Sequence, residues 1–92
     1  MPATLTRAPD EISARRVRLL QLHQELTLRR CRSRLIRYRR RRWVLKVGRY
    51  TVLCAGADGV YAYVTKRGLI LSPADQDGIA TAVYRLVEGG LG

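Results

Sequence analysis

The chain contains no phenylalanine, a single histidine and only two cysteines among its 92 residues. Cys31 and Cys54 lie 23 positions apart, so they form neither a closely spaced pair of metal ligands nor a disulfide framework. The sequence holds no run of about 18 apolar residues and no secretory signal pattern, so it predicts no membrane-spanning helix and no export. Together these absences favour a small protein of the reducing cytoplasm that uses no metal and no cofactor.

Acidic residues are also scarce, with seven against 18 basic ones and a net charge of +11. The imbalance is confined to the first 49 positions, where fifteen basic residues face three acidic ones and the formal charge is +12. Ion pairs within the chain cannot neutralise this segment, and the usual macromolecular counterion of such a field is a polyphosphate. A hydrophobic content of 47% nevertheless excludes a wholly disordered polycation.

A long helix is predicted for the basic segment. Pro9, Asp10 and Glu11 suit a first helical turn, and neither glycine nor proline occurs at positions 12–41. Apolar residues recur at helical spacing in two sets, which are Ile12, Leu19, Leu22 and Leu26, and Leu28, Cys31, Leu35 and Tyr38. The two sets lie roughly 150–180° apart on a helix. The helix therefore either breaks near Thr27 or continues and presents two faces to different partners.

The period of the apolar residues changes from helical to strand-like after the arginine run. Residues 43–47, 50–55, 60–65 and 69–71 are strand candidates separated by glycine-containing turns. A second helix should follow, with Ser72 as its N-cap, Pro73 at its first position and Asp75 at its third.

The predicted fold class is α+β, with a long basic N-terminal helix, a three- or four-stranded antiparallel meander and a C-terminal helix packed on the sheet. We divide the chain into a flexible tail (1–9), a basic helical region (10–42) and a small ββββα globule (43–92), which form one domain overall.

The clustering of arginine favours a non-catalytic protein that binds nucleic acid mainly through phosphates and with low sequence specificity. No pair of acidic residues, nucleophile motif or glycine-rich phosphate loop indicates an enzyme. The basic residues expected to make the contacts are Arg29, Arg30, Arg34, Arg37, Arg39, Arg40, Arg41, Arg42, Lys46, Arg49, Lys66 and Arg67.

Tyr61 and Tyr63 lie two positions apart in a predicted strand and therefore point to the same face of the sheet. If that face is exposed, the two rings form a stacking platform for bases, and both belong to the nucleic-acid site. If it is covered, both pack beneath the long helix with their hydroxyls at its edge. The residues that alternate with them, Val60, Ala62 and Val64, are predicted to belong to the core.

A protein-interaction module is the alternative function. The face made by Ile12, Leu19, Leu22 and Leu26 has no obvious mate in so short a chain, so the helix would pair with a second copy or dock on an acidic partner. An inhibitor or a subunit of a larger complex would use its basic helix in this way.

The order of basic helices followed by an antiparallel meander is similar to that of the small ribosome-dependent endoribonuclease toxins of the RelE type, although the leading strand of that family is missing. In that family Arg, Lys and Tyr on the sheet surface serve RNA cleavage. The resemblance therefore implies such roles for Arg49, Tyr50, Tyr61, Lys66 and Arg67.

Overall fold

The computed structural model of the protein describes residues 7–38 and 42–88. In chain order the elements are α1 (Arg7–Leu28), β1 (Arg34–Arg37), β2 (Trp43–Val47), β3 (Tyr50–Ala57), β4 (Val60–Thr65), β5 (Ile70–Pro73) and α2 (Gln76–Glu88). The α+β class is confirmed, because a long N-terminal helix precedes an antiparallel sheet and a C-terminal helix packs on that sheet.

The strands form one sheet in the order β1-β2-β3-β4-β5, and every neighbouring pair is antiparallel. Tight turns make this meander possible, since Gly48, Asp58 and Gly59 all have positive φ angles. The sheet has five strands rather than the predicted three or four, because β1 adds a strand ahead of Trp43.

The prediction of a helical region over residues 10–42 is wrong beyond Leu28, and the alternative of a break near Thr27 is confirmed. Leu35 stands opposite Leu45 in the β1–β2 pair. A strand here places Leu35 against the core cluster and pairs its backbone with β2, whereas a continuing helix would project it into water. Pairing with β2 therefore outweighs the helix propensity of this arginine- and leucine-rich segment.

Both helices cover the same face of the sheet. This inner face carries the buried strand residues Leu45, Val47, Val52, Cys54, Tyr61, Tyr63 and Leu71. Leu19, Leu22 and Leu26 of α1 and Val83 of α2 pack against it. Neither α1 nor α2 packs on the opposite face, the outer face, which carries Ile36, Val44, Leu53, Val64 and Ile70.

The expectation that Ile12, Leu19, Leu22 and Leu26 form a partner interface is wrong. The three leucines are at most 1% exposed, and Ile12 is half-buried. These residues pack on the inner face of the chain's own sheet, whose broad apolar surface contacts the side chains that recur at each turn of α1. Neither a second copy nor a partner protein is needed to cover this face of α1.

The start of α2 differs from the predicted capping box by three residues. The Asp75 side chain, not that of Ser72, caps the helix: its Oδ1 accepts a hydrogen bond from the Gly78 backbone N–H at 2.6 Å. Ser72 belongs to β5, where its buried hydroxyl donates to the Gly78 carbonyl at 2.6 Å. The helix thus begins at Gln76, is capped by Asp75 and is held to β5 by the Ser72 hydroxyl.

Gly78 marks the closest approach of α2 to β5. A Cβ atom there would lie 1.9 Å from the Pro73 carbonyl oxygen, a backbone atom that cannot move away without shifting the strand. We expect Gly78→Ala to lower the free energy of unfolding by about 2 kcal/mol or more, measured by urea denaturation. Thr81→Ala, at an exposed position of the same helix, is the control and should change it by no more than about 0.5 kcal/mol. A Gly78→Ala protein as stable as the control would contradict this packing.

Candidate nucleic-acid interface

Three arginines of α1, Arg15, Arg16 and Arg18, contact the sheet. Arg15 donates from Nε and Nη2 to the Gly56 carbonyl oxygen at 3.0 and 2.7 Å. The Arg16 guanidinium lies 4.9 Å from the centre of the Trp43 ring, and that of Arg18 lies 4.1 Å from the centre of the Tyr61 ring. Each of the three side chains therefore ties α1 to the sheet.

Tyr61 and Tyr63 do not form an exposed platform. They are 9% and 1% exposed and lie on the inner face beneath α1, so the expectation that they stack on bases is wrong. The two hydroxyls explain why the rings lie on the inner face, because both find hydrogen-bond partners on α1 there. Tyr61 donates to the Glu11 carboxylate, and Tyr63 donates to the Arg18 carbonyl at 2.7 Å. The second alternative, packing under the helix, is the one that the structure confirms.

The residues that alternate with these tyrosines are not core. Val60 is 77% exposed, and Ala62 and Val64 are half-buried on the uncovered outer face. The prediction that they belong to the core is therefore wrong. Strand β4 is apolar on both sides, so alternation alone did not reveal which side would meet the helix.

The polypeptide turns sharply where α1 ends. Arg30 adopts a left-handed φ of 60°, its N–H donates to the Thr27 carbonyl at 2.9 Å, and the Cys31 N–H donates to the Leu26 carbonyl at 2.8 Å. This pair of hydrogen bonds is a Schellman motif with arginine at the position that usually holds glycine. Cys31 packs against the core cluster, and the turn leaves the Arg29, Arg30 and Arg32 side chains exposed.

A hydrogen bond fixes the segment that follows the turn. His23 Nδ1 and Ser33 Oγ lie 2.6 Å apart, which joins α1 to the residue just before β1. The sequence suggested no role for either residue, because their contact depends on the chain reversing at Arg30. Arg32, which lies inside this fixed segment, was likewise absent from the predicted site.

Three clefts follow one another around this end of the molecule, each sharing lining residues with the next, and we call them together the basic groove. The first is lined by Arg30, Cys31, Arg32, Ser33 and Arg34, together with Thr27. The second shares Cys31 and Arg32 with it and continues along Val47, Gly48, Arg49, Tyr50 and Leu86. The third shares Arg49 and Tyr50 with the second and continues along Thr51, Thr65, Lys66, Arg67 and Leu69.

The basic groove collects positive charge from separate parts of the chain. Its lining includes six basic side chains and no acidic one, although the six come from three different loops and strand ends. Lys46 lies at its rim, where Nζ donates to Thr51 Oγ1 at 2.9 Å and where Arg34 stands opposite in the β1–β2 pair. Arg29 is exposed beside it. A phosphate entering the groove would meet several cations at once.

The structure separates this groove from Arg37 and Arg42, the described residues of the arginine run. Arg37 and Arg42 lie at the other end of the β1–β2 hairpin, where Arg42 shares a cleft with Ile12 and Arg15 near the start of α1. Arg39, Arg40 and Arg41 lie outside the described residues. Of the predicted contacts, Arg30, Arg34, Arg49, Lys66 and Arg67 line the clefts of the groove, whereas Arg29 and Lys46 are exposed outside that lining.

Comparisons with family models, with curated proteins and with solved structures find no match to this chain. Within residues 7–38 and 42–88, no helix is long and apolar enough to cross a membrane. The same residues bring no three His, Cys, Asp or Glu side chains together as metal ligands.

The left-handed turn at Arg30 yields a test of stability. Arginine is strained in this conformation and glycine is not, so Arg30→Gly should raise the free energy of unfolding by about 1 kcal/mol in urea denaturation. The neighbouring Arg29 has no positive φ, and Arg29→Gly is the control, expected to be neutral or destabilising. A loss of stability in Arg30→Gly would contradict the capping geometry.

The inner face also predicts an alkaline transition. Burial raises the pKa of Cys54 from its ordinary 9.0 to about 11 and raises that of Tyr63, while the hydrogen bond to Glu11 raises the pKa of Tyr61. All three groups are neutral when protonated, so the stability they contribute is complete below pH 9.0 and is lost as the pH rises through the raised values.

The measurement is urea denaturation at a series of pH values. The free energy of unfolding should fall between pH 9.0 and about 11, with Cys54 contributing at most about 1.4 kcal/mol per pH unit. The free energy of unfolding of the Cys54→Ala protein should fall less steeply over this pH range, whatever its value at neutral pH. The idea fails if the wild-type protein keeps its full stability at pH 11.

Proposed function

We propose that this protein is a small accessory protein that binds nucleic acid through the phosphate backbone, with low sequence specificity. The observation that carries the proposal is the basic groove, whose lining holds six cations and no carboxylate. Isolated surface cations contribute little to binding, but a set that neutralises several phosphates at once releases their condensed counterions. The free thiols of Cys31 and Cys54 suit the cytoplasmic location that we include in this proposal.

Low specificity follows from the elements that line the groove. Side chains of loops and strand ends surround it, whereas the apolar face of α1 is committed to the sheet. No helix N-terminus opens into the lining, so the groove offers no recognition helix to the edges of base pairs. Tyr50 is the single aromatic residue in the lining, and it is half-buried against the core. Contacts to phosphate therefore dominate contacts to bases in our proposal.

RNA cleavage is a second candidate function. Four of the five residues to which the RelE-type resemblance gives roles, Arg49, Tyr50, Lys66 and Arg67, line one cleft of the basic groove. Tyr61, the fifth, lies in the buried inner face. Cleavage products that disappear in Arg49→Gln would support this candidate, whereas RNA that stays intact over hours with the wild-type protein would rule it out.

The test of binding is fluorescence anisotropy with single-stranded DNA, double-stranded DNA and RNA of random sequence, at about 50 to 300 mM salt. We expect micromolar or tighter binding whose logarithm falls steeply with the logarithm of salt concentration. Replacing Arg32, Arg49, Lys66 and Arg67 together by Gln should weaken binding about tenfold or more and reduce the salt slope by about three to four.

Two further variants show whether position or total charge matters. Arg85→Gln removes an exposed cation of α2 outside the groove lining and should leave the salt slope unchanged. Replacing Arg39, Arg40, Arg41 and Arg42 by Gln removes as many charges as the groove variant and should lower affinity for all sequences alike, but by less. Equal losses in the two four-residue variants would overturn the groove assignment. An absence of binding at the lowest salt would overturn the proposal and favour an acidic protein partner.

A further inference from the structure

The outer face of the sheet is apolar although no helix covers it. An antiparallel sheet with one face in water normally alternates apolar residues with polar ones on the wet side. Here one branched apolar residue from each of the five strands forms a continuous row. In strand order, Ile36 pairs with Val44, Leu53 pairs with Val64, and Val64 pairs with Ile70. Val44 lies beside Leu53 because the residues next to them, Leu45 and Val52, are paired.

The row is partly shielded by its own neighbours and partly open. Val44, in its middle, is 6% exposed and lies outside the main core cluster, whereas Ile70 at one end is 62% exposed. Ala55 and Ala62 pair directly beside the row and form a shallow strip of small side chains along it. A ridge of branched residues next to a strip of alanines is a surface against which another apolar element can pack.

Positive charge flanks this apolar row. Arg34 and Lys46 are paired on the same face, with Thr51 next to Lys46. On the opposite side of the row, just before β2, the Tyr38 N–H donates to the Arg42 carbonyl, and exposed Arg42 shares a cleft with the row residues Leu53 and Val64. All seven acidic residues lie in helices, in the β3–β4 turn or just before α2, and none lies in a strand. The outer face therefore carries cations without carboxylates.

The dimensions of the row suit a short helix. Five strands cover four inter-strand spacings, which is roughly 19 Å, and a helix of about 13 residues has this length. A helix laid along the row would bury apolar side chains spaced three and four residues apart and would bring its flanking positions close to Arg34, Lys46 and Arg42. Glutamate and aspartate are the residues that those positions favour.

Two other occupants fit less well. A second copy of the protein would place its own Arg34, Arg42 and Lys46 against the same cations, with no carboxylate from either sheet between them. Single-stranded nucleic acid is held by aromatic platforms, whereas the row is aliphatic and Tyr38 is the one aromatic side chain on the outer face within the described strands and their flanks.

From these observations we infer that the outer face, along the row Ile36–Val44–Leu53–Val64–Ile70, is a docking surface for an acidic amphipathic helix of a partner protein. This surface is separate from the basic groove in its apolar contacts, while Arg34 belongs both to the groove lining and to the cations that flank the row.

The experiment uses the full chain and synthetic peptides of about 14 residues, with leucine spaced three and four residues apart and alanine elsewhere. One peptide carries glutamate at the positions flanking the leucines, the second carries lysine there, and the third has the composition of the first in scrambled order. We expect micromolar binding of the glutamate peptide by fluorescence anisotropy, and binding at least about tenfold weaker for the other two.

Variants locate the binding surface. Ile70→Ser should weaken binding of the glutamate peptide about fivefold or more, and its high exposure means that the fold tolerates the change. Tyr84→Ser, which alters an apolar side chain of α2 that is 64% exposed, is the control and should leave peptide binding unchanged. Replacing both Arg34 and Lys46 by Glu should reverse the preference, so that the lysine peptide binds better than the glutamate peptide.

Four results would overturn the inference. Equal binding of the ordered and scrambled glutamate peptides would show that the ligand is not recognised as an amphipathic helix. Unchanged peptide binding in Ile70→Ser, together with an unreversed charge preference in the Arg34 and Lys46 variant, would show that the outer face is not the binding surface. A dimer in sedimentation that Ile70→Ser dissociates would show that a second copy is the occupant. Weaker single-stranded DNA binding in Ile70→Ser, with unchanged peptide binding, would assign the face to nucleic acid instead.

Discussion

The burial of three leucines of α1 on the inner face is the interaction on which the rest of this structure depends. Leu19, Leu22 and Leu26 recur at helical spacing and are almost fully removed from water. Each buried leucine contributes about 1.5–3 kcal/mol, which is large for a domain of this size. Because this contact holds the most basic helix of the protein flat against a sheet, it decides where every other charge in the first half of the chain can go.

Because of that contact, the arginines of the first half of the chain fall into two groups, those that contact the sheet and those that are exposed. Arg15, Arg16 and Arg18 lie along the edges of the leucine stripe and are drawn onto a carbonyl or an aromatic ring of the sheet. The Arg18 guanidinium even leaves its buried Nε without a hydrogen-bond partner, and the Tyr61 ring offsets part of that cost. The helix ends at Leu28, the chain reverses at Arg30, and the arginines that follow are exposed.

The five-stranded sheet is apolar on both faces, and the two helices cover only one of them. The inner face accepts the helices because its tyrosines end in hydroxyls that find partners on α1, Glu11 for Tyr61 and the Arg18 carbonyl for Tyr63. The outer face has branched aliphatic side chains without such polar tips, and cations flank them. The basic groove lies where both faces end, so a phosphate ligand and a docked helix would share Arg34 and Lys46 at their margins.

The α+β class, the order of elements and the concentration of charge were predictable from the sequence, because helix period, strand alternation and glycine turns are local signals. Tertiary contacts decided the rest. Residues 34–37 have the composition of a helix and became a strand through pairing with β2, and Asp75 replaced Ser72 as the cap because Ser72 is held in β5. Alternation placed Tyr61 with Tyr63 and Val60 with Val64 but did not distinguish the two faces, since both are apolar. Only the fit of the whole sheet against α1, with each tyrosine hydroxyl satisfied, selected which face is buried, and only the reversal at Arg30 brought Arg32 into one cleft with Arg49.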